Sequence, residues 1–248
     1  MRELLTQTIR IDPLYSILTN ERRNFSHRYA AAEVIWYLAD TSDCSYLLKY
    51  APSYGQYLEQ DGKTAYWAYG PRFMRQLFGV IALLKHRPRT RRAVLCLWRP
   101  EDLAHSIAED VADVPCVTTF QFFQRHGKLS MQVYQRSQDL WVGFPNDVFS
   151  FCTLQRIVAE ILGCQLGDYM HVMGSCHIYE AHVEKVCEAL ESHCQVRKVK
   201  EVRADKTTLD FYQNQASCIA GYNLNKVVGV SSIFDTLVDA THGAKLWE

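Results

Sequence analysis

The chain has 248 residues, 48% of them hydrophobic and 22% charged, which is enough apolar material for one substantial core and excludes disorder as its main state. Its 27 basic and 27 acidic side chains cancel, so no global field draws it to nucleic acid or an anionic membrane. Nine cysteines without a CxxC pair suit reduced thiols, and no apolar run approaches bilayer length; the expectation is a soluble, cytoplasmic protein.

In chain order, Asn24-Phe25-Ser26 opens a predicted helix with Ser26 as N-cap. Its inward face carries Tyr29 or Ala30, then Val34, Tyr37 and Leu38. A second helix follows Pro71, with Phe73, Leu77, Val80, Ile81 and Leu84 at helical spacing, and Pro88 stops it. Residues 93–98 read as a strand closed by Pro100. A hairpin is predicted from residues 117–124 and 129–135 around Arg125-His126-Gly127-Lys128, with Leu129, Met131 and Val133 alternating against Ser130, Gln132 and Tyr134. After Pro145 a helix places Phe149, Leu154, Ile157, Val158, Ile161 and Leu162 on one stripe. Residues 169–179 form a strand leading into a helix with Val183, Val186, Cys187, Leu190 and Cys194 inward; beyond residue 200 only short strands and a helix are expected. With no repeat or linker, residues 1–248 read as a single α+β domain, its mixed, largely antiparallel sheet flanked by helices.

Four segments carry chemistry. Cys116, after Asp113-Val114-Pro115, sits on the lip of a strand, where a nearby cation can lower its pKa; taken alone, a buried cysteine is more often a small hydrophobe. Gln135-Arg136-Ser137-Gln138-Asp139 ends the return strand, and arginine beside a hydroxyl suits phosphate oxygens. The basic run at residues 85–92 reads first as a solvated turn, since it lacks the interleaved aromatics of a nucleic-acid groove. In Met173-Gly174-Ser175-Cys176-His177-Ile178-Tyr179, His177 and Tyr179 project to one side of an extended strand and can meet a sugar hydroxyl. His171, His177, His182, Cys176 and Cys187 show no zinc spacing, so no metal is expected.

Together these segments resemble the thymidylate synthase family. Asp113 to Cys116 looks like its nucleophile segment, and Gln135-Arg136-Ser137 with Asp139, Gly143 and Pro145 resembles its signature run. Gly167-Asp168 followed by Gly174, His177, Ile178 and Tyr179 is similar to its sugar-binding strand. Glu33 matches the helical glutamate that organises active-site water, and Tyr69-Gly70 the pair near the base. Arg91 and Arg92 match the arginines that, in the family, reach the phosphate in a partner subunit, which implies a homodimer. The resemblance implies a pyrimidine nucleoside monophosphate substrate and 5,10-methylenetetrahydrofolate as co-substrate, with Asp139 and Gly143 on the folate side. It implies neither nucleic acid nor membrane as partner. The family's amino-terminal phosphate loop is not recognisable; Arg2, Arg22 or Arg23 are the available substitutes.

The departures choose among family members. Thymidylate synthases carry asparagine near the end of the signature run, where this chain has Asp147. An amide matches uracil's carbonyl and ring N–H; a carboxylate accepts from cytosine's amino group and suits a protonated ring nitrogen. Asp147 resembles the carboxylate of the phage deoxycytidylate hydroxymethylases, as does Ser175 where the synthases have aspartate. Val117 replaces the usual histidine after the nucleophile, and the carboxyl end does not resemble the apolar tail that excludes water. The implied reaction is hydroxymethylation of dCMP or CMP: Cys116 adds to carbon 6, Asp147 holds a proton near ring nitrogen 3, and Glu33 positions water. The alternatives are methylation or hydroxymethylation of dUMP, and a non-catalytic nucleotide-binding protein.

Overall fold

The structure is a computed structural model that describes residues 1–20, 22–23, 25–108, 113–192, 194–199, 237 and 239–245. Strand β1 spans Arg2–Ile11 and β2 Ile17–Asn20; helix α1 covers His27–Leu38 and α2 Gly70–His86. Then come β3 (Val94–Cys96), α3 (Glu101–His105), β4 (Val117–Arg125), β5 (Lys128–Asp139), α4 (Phe144–Leu162), β6 (Gln165–Ile178), α5 (Glu180–Glu191) and β7 (Cys194–Arg197). The main sheet has the order β1-β6-β5-β4-β3. Only β5 and β6 run parallel, joined by α4 as their crossover; β2 and β7 form a separate antiparallel pair. The predicted α+β class with a largely antiparallel mixed sheet is what the chain adopts.

Local chemistry explains most boundaries. Ser26 caps α1 by accepting from the Tyr29 amide, and Gly70-Pro71 starts α2. The β4–β5 reversal needs only His126 and Gly127, both at positive φ (51° and 73°), the backbone that a two-residue hairpin turn demands. Leu129, Met131 and Val133 are fully buried, as their alternation predicted.

Other expectations need correcting. β1 was not foreseen, because as an edge strand it leaves most of its side chains exposed and shows no apolar alternation. The strand expected over residues 93–98 is regular only at Val94–Cys96. Helix α1 is buried nearly all round from Ala30 to Tyr37, with three alanines permitting close approach, and α4 is likewise a central helix. On α5 the expected inward face is largely wrong: Cys187 is exposed, Leu190 is 78% exposed, and Ala189 is the buried residue. The side chain of Cys194 and most of the region beyond residue 200 lie outside the described residues.

A buried ion pair fixes one side of the sheet. Arg72 on α2 donates to both oxygens of Asp102 at 2.8 and 3.0 Å, and Asp102 also accepts from Tyr66 and from the Arg99 amide. The loop after β3 is thereby tied to α2.

Candidate active site

The end of β5 lies beside the end of β6 with Ser137 opposite Ser175 and Asp139 opposite His177. That parallel register puts Gln135 to Asp139 and His177 at one edge of the sheet. Gly174 allows the approach: a Cβ there would come within 2.9 Å of the Arg136 carbonyl. Helix α4 begins immediately after β5 and brings Asp147 in its first turn; α1 supplies Glu33. Together they enclose a cavity of about 950 Å³. Cys116, Glu33, Asp147, Gln135, Arg136, Ser137, Asp139, Gly143, His177, Tyr179 and Tyr69 all line it. Arg91 and Arg92 do not; both are exposed and line a separate surface cleft with Leu83 and Arg87.

Cys116 occupies the bend before β4, and Arg136 holds that bend. Its backbone amide donates to the Cys116 carbonyl at 2.8 Å, Nε to the Pro115 carbonyl at 2.9 Å and Nη2 to the Val114 carbonyl at 3.1 Å, with the guanidinium over Trp98. The expected cation is therefore present, yet the thiol is pushed up to about 11. Burial outweighs Arg136, and Asp113 and Asp147 oppose it further. This corrects the expectation of a thiolate: in the free chain desolvation keeps the thiol protonated. Two donors of Arg136 are already committed to carbonyls, so its first role is to shape the Cys116 segment. Of the substitutes for the phosphate loop, Arg23 is held by the Trp141 and Leu18 carbonyls and Arg2 pairs with Glu180.

Asp147 is partly open to the cavity. Its Oδ2 accepts from Gln138 Nε2 at 2.9 Å and Gln135 Nε2 at 3.2 Å. Burial among protein atoms, then the charge of Glu33, pushes the carboxyl up to about 7, although both glutamines pull it down. Gly143 keeps this corner close-packed: a Cβ would lie 3.0 Å from Gln138 Nε2 and 3.4 Å from Asp147 Oδ2 and would press on both side chains. Asp139 Oδ1 accepts from the amides of Trp141 and Val142 and so caps the turn between β5 and α4. Tyr69 is buried at the start of α2 with its ring 5.3 Å from that of Tyr37.

Glu33 is only 2% exposed, and its carboxylate is held by hydroxyls: Tyr29 and Tyr54 donate to Oε1 and Ser150 to Oε2 at 3.1 Å. Burial raises its pKa. His177 and Tyr179 do face the same side, their rings edge to face at 5.1 Å, and His177 Nδ1 lies 3.3 Å from Ser175 Oγ. Sequence reasoning missed Tyr29, Tyr54, Gln138 and Ser150. Tyr29 stands one turn before Glu33, a spacing that signals a shared face; Tyr54 and Ser150 had no local signal. Among the described residues, no three His, Cys, Asp or Glu side chains gather to hold a metal ion. Nor is any described helix long and apolar enough to cross a membrane.

Comparison with known proteins agrees with this arrangement. Proteins named thymidylate synthase from Listeria monocytogenes serotype 4a and Listeria innocua serovar 6a are each 37% identical to it over 150 residues, 60% of this chain and 46% of theirs. The match thus spans about half the length of these curated relatives. The thermostable thymidylate synthase A from Bacillus subtilis superposes with a TM-score of 0.69 at 25% identity, covering 85% of this chain and 77% of that one. The family described as thymidylate synthase matches residues 5–232, and the chain belongs to that family.

Proposed function

We propose that this protein transfers a one-carbon unit from 5,10-methylenetetrahydrofolate to carbon 5 of a pyrimidine nucleoside monophosphate. Family membership and the assembly of Cys116, Glu33 and Asp147 around one cavity support this reading. Cys116 loses its proton and its sulfur adds to carbon 6, so that carbon 5 becomes nucleophilic and attacks the folate methylene. The carbon 5 proton leaves, tetrahydrofolate departs, and an exocyclic methylene remains. Water adds to give hydroxymethyl, or hydride from the folate gives methyl; Cys116 is then expelled. Glu33 with the hydroxyls of Tyr29 and Tyr54 forms a polar array suited to orient that water.

The observation that carries the choice of base is the carboxyl of Asp147, held by two amides at the cavity wall. It supports a cytidylate acceptor, dCMP or CMP, and a hydroxymethyl product. The names of the relatives support the second reading, methylation of dUMP. A carboxyl pushed up to about 7 is compatible with that reading too, because a neutral carboxylic acid offers one donor and one acceptor, as an amide does. Arg91 and Arg92 would reach the phosphate from a second copy of the chain, in a homodimer; their distance from the cavity in a single copy supports this. The deciding experiment incubates the protein with methylenetetrahydrofolate and, separately, dCMP, CMP and dUMP, and weighs the products. Hydroxymethylated cytidylate is expected; thymidylate alone would establish the second reading.

A further inference from the structure

From Asp147 a line of buried hydrogen bonds runs through Gln138 at the cavity wall to His171 and Tyr169, neither of which lines the cavity. Tyr169 Oη lies 2.6 Å from His171 Nδ1, His171 Nε2 lies 2.7 Å from Gln138 Oε1, and Gln138 Nε2 donates to Asp147 Oδ2 at 2.9 Å. Tyr169 and His171 are fully buried and Gln138 is 1% exposed. Chemistry fixes the direction of every link. Gln138 Nε2 also reaches the Asp139 carbonyl at 3.3 Å, so turning the amide over would set its oxygen against that carbonyl whichever oxygen of Asp147 holds the proton. Oε1 must then face His171 and accept, which places the imidazole hydrogen on Nε2 and leaves Nδ1 to accept from the Tyr169 hydroxyl. Burial holds His171 neutral, down to about 3, and holds the Tyr169 phenol well above its ordinary value. Both links keep their protons near neutrality.

At the other end, Gln135 adds a second N–H to the same carboxyl oxygen. Oδ2 therefore already accepts two hydrogen bonds, and a proton placed on it would point into donors. Among the described residues, the titratable groups bearing on Asp147 include Glu33 and Tyr37 from α1, Tyr54, Tyr69, Cys116, Asp139 and Tyr169, none of them a cation. We propose that Tyr169 and His171, acting through Gln138, are positioning residues that confine the proton of Asp147 to Oδ1 and so fix which carboxyl atom donates to the base and which does not. The inference rests on the base-reading role proposed for Asp147. It turns a symmetric carboxyl into an oriented donor–acceptor pair.

The test compares kcat/KM for cytidylate with that for uridylate, across pH, in three variants. Gln138→Glu puts an oxygen where the amide N–H stood, drawing the Asp147 proton to Oδ2. The cytidylate-to-uridylate ratio should fall about tenfold and its pH profile should move. Tyr169→Phe removes one hydroxyl with little change of shape and should move the ratio in the same direction by about threefold; it carries the test if Gln138→Glu does not fold. Equal losses on both nucleotides, with an unmoved ratio and pH profile, would mean that these residues only pack, and would overturn the proposal. Asp147→Asn, measured in parallel, separates the two levels. If it too leaves the ratio unmoved, base reading by Asp147 has failed; if it alone moves the ratio, only the role of the relay has failed.

Discussion

Replacing Asp147 by asparagine exchanges one oxygen for an NH₂ group at constant shape, and the surrounding bonds dictate how the new amide faces. Gln135 and Gln138 both donate to Oδ2, so the amide oxygen must take that position and the NH₂ the place of Oδ1. Against cytosine the NH₂ can still reach ring nitrogen 3 but has no proton to release to it as Cys116 adds, whereas against uracil a neutral amide removes the charge that an ionised carboxylate sets against a carbonyl. Mismatched buried polar groups cost about 1–3 kcal/mol each. Asp147→Asn should therefore lower kcat/KM for cytidylate at least ~100-fold, about 2.7 kcal/mol, while activity on dUMP rises or first becomes detectable. Stability should respond as well. The carboxyl is raised from 3.8 to about 7 in the fold, so the folded chain binds this proton more tightly than the unfolded chain does. Its stabilising contribution is full below about pH 4 and is lost as pH rises toward about 7, by on the order of 2–4 kcal/mol once water in the cavity is allowed for. Asparagine has nothing to ionise, so the variant should gain on the wild type through that window. Steady-state kinetics on both nucleotides and denaturant titrations at about pH 4 and about pH 8 read the two effects. Equal kinetic losses on both bases would refute base reading. A stability difference indifferent to pH would refute the raised carboxyl.

Cys116→Ser should abolish turnover while nucleotide affinity stays within about tenfold, because the sulfur does chemistry and adds little to ground-state binding; comparable turnover by the serine variant sinks the covalent route. Tritium release from carbon 5 should likewise vanish in that variant. Mixing Arg92→Ala with Cys116→Ser chains should restore activity in mixed dimers, and failure of rescue with such dimers shown to form would place the arginine's role within its own subunit. Arg72→Met strands the buried charge of Asp102 and should cost about 3–5 kcal/mol in chemical denaturation, with a loss below about 1 kcal/mol counting against the buried pair.

Where the sequence was most legible, local rules dominated. The cap at Ser26, the apolar spacing of α2 and the alternation on β5 each follow from neighbours a few residues apart, and the structure keeps them. The stripe assigned to α5 misled because apolar spacing alone does not say that a partner covers the face. Helix α4 is buried beyond its apolar stripe: polar Ser150, Thr153 and Gln155 bond to Glu33, to the helix's own Phe149 carbonyl and to the backbone of β5 and β6. For the cavity, ordered motifs marked the residues on β5, α4 and β6, while the hydroxyls around Glu33 come from segments with no motif. Electrostatics was hardest to foresee. Arg136 stands beside Cys116 as expected, but only the three-dimensional environment reveals that desolvation exceeds its pull.

The pairing of β1 with β6 has a consequence for how the chain comes into being. Arg2 lies opposite Ile178 and Ile11 opposite Tyr169, so β1 meets its partner in this sheet only once β6 has emerged. At about 5–20 residues per second the wait is on the order of ten seconds. The parallel join of β5 to β6 is delayed as well, because α4 must first carry the chain back across the sheet. Helices and the β4–β5 hairpin can form early from local contacts, while the edge that holds Asp139 against His177 depends on pairings distant in sequence. In refolding, helical signal should therefore return before nucleotide binding does.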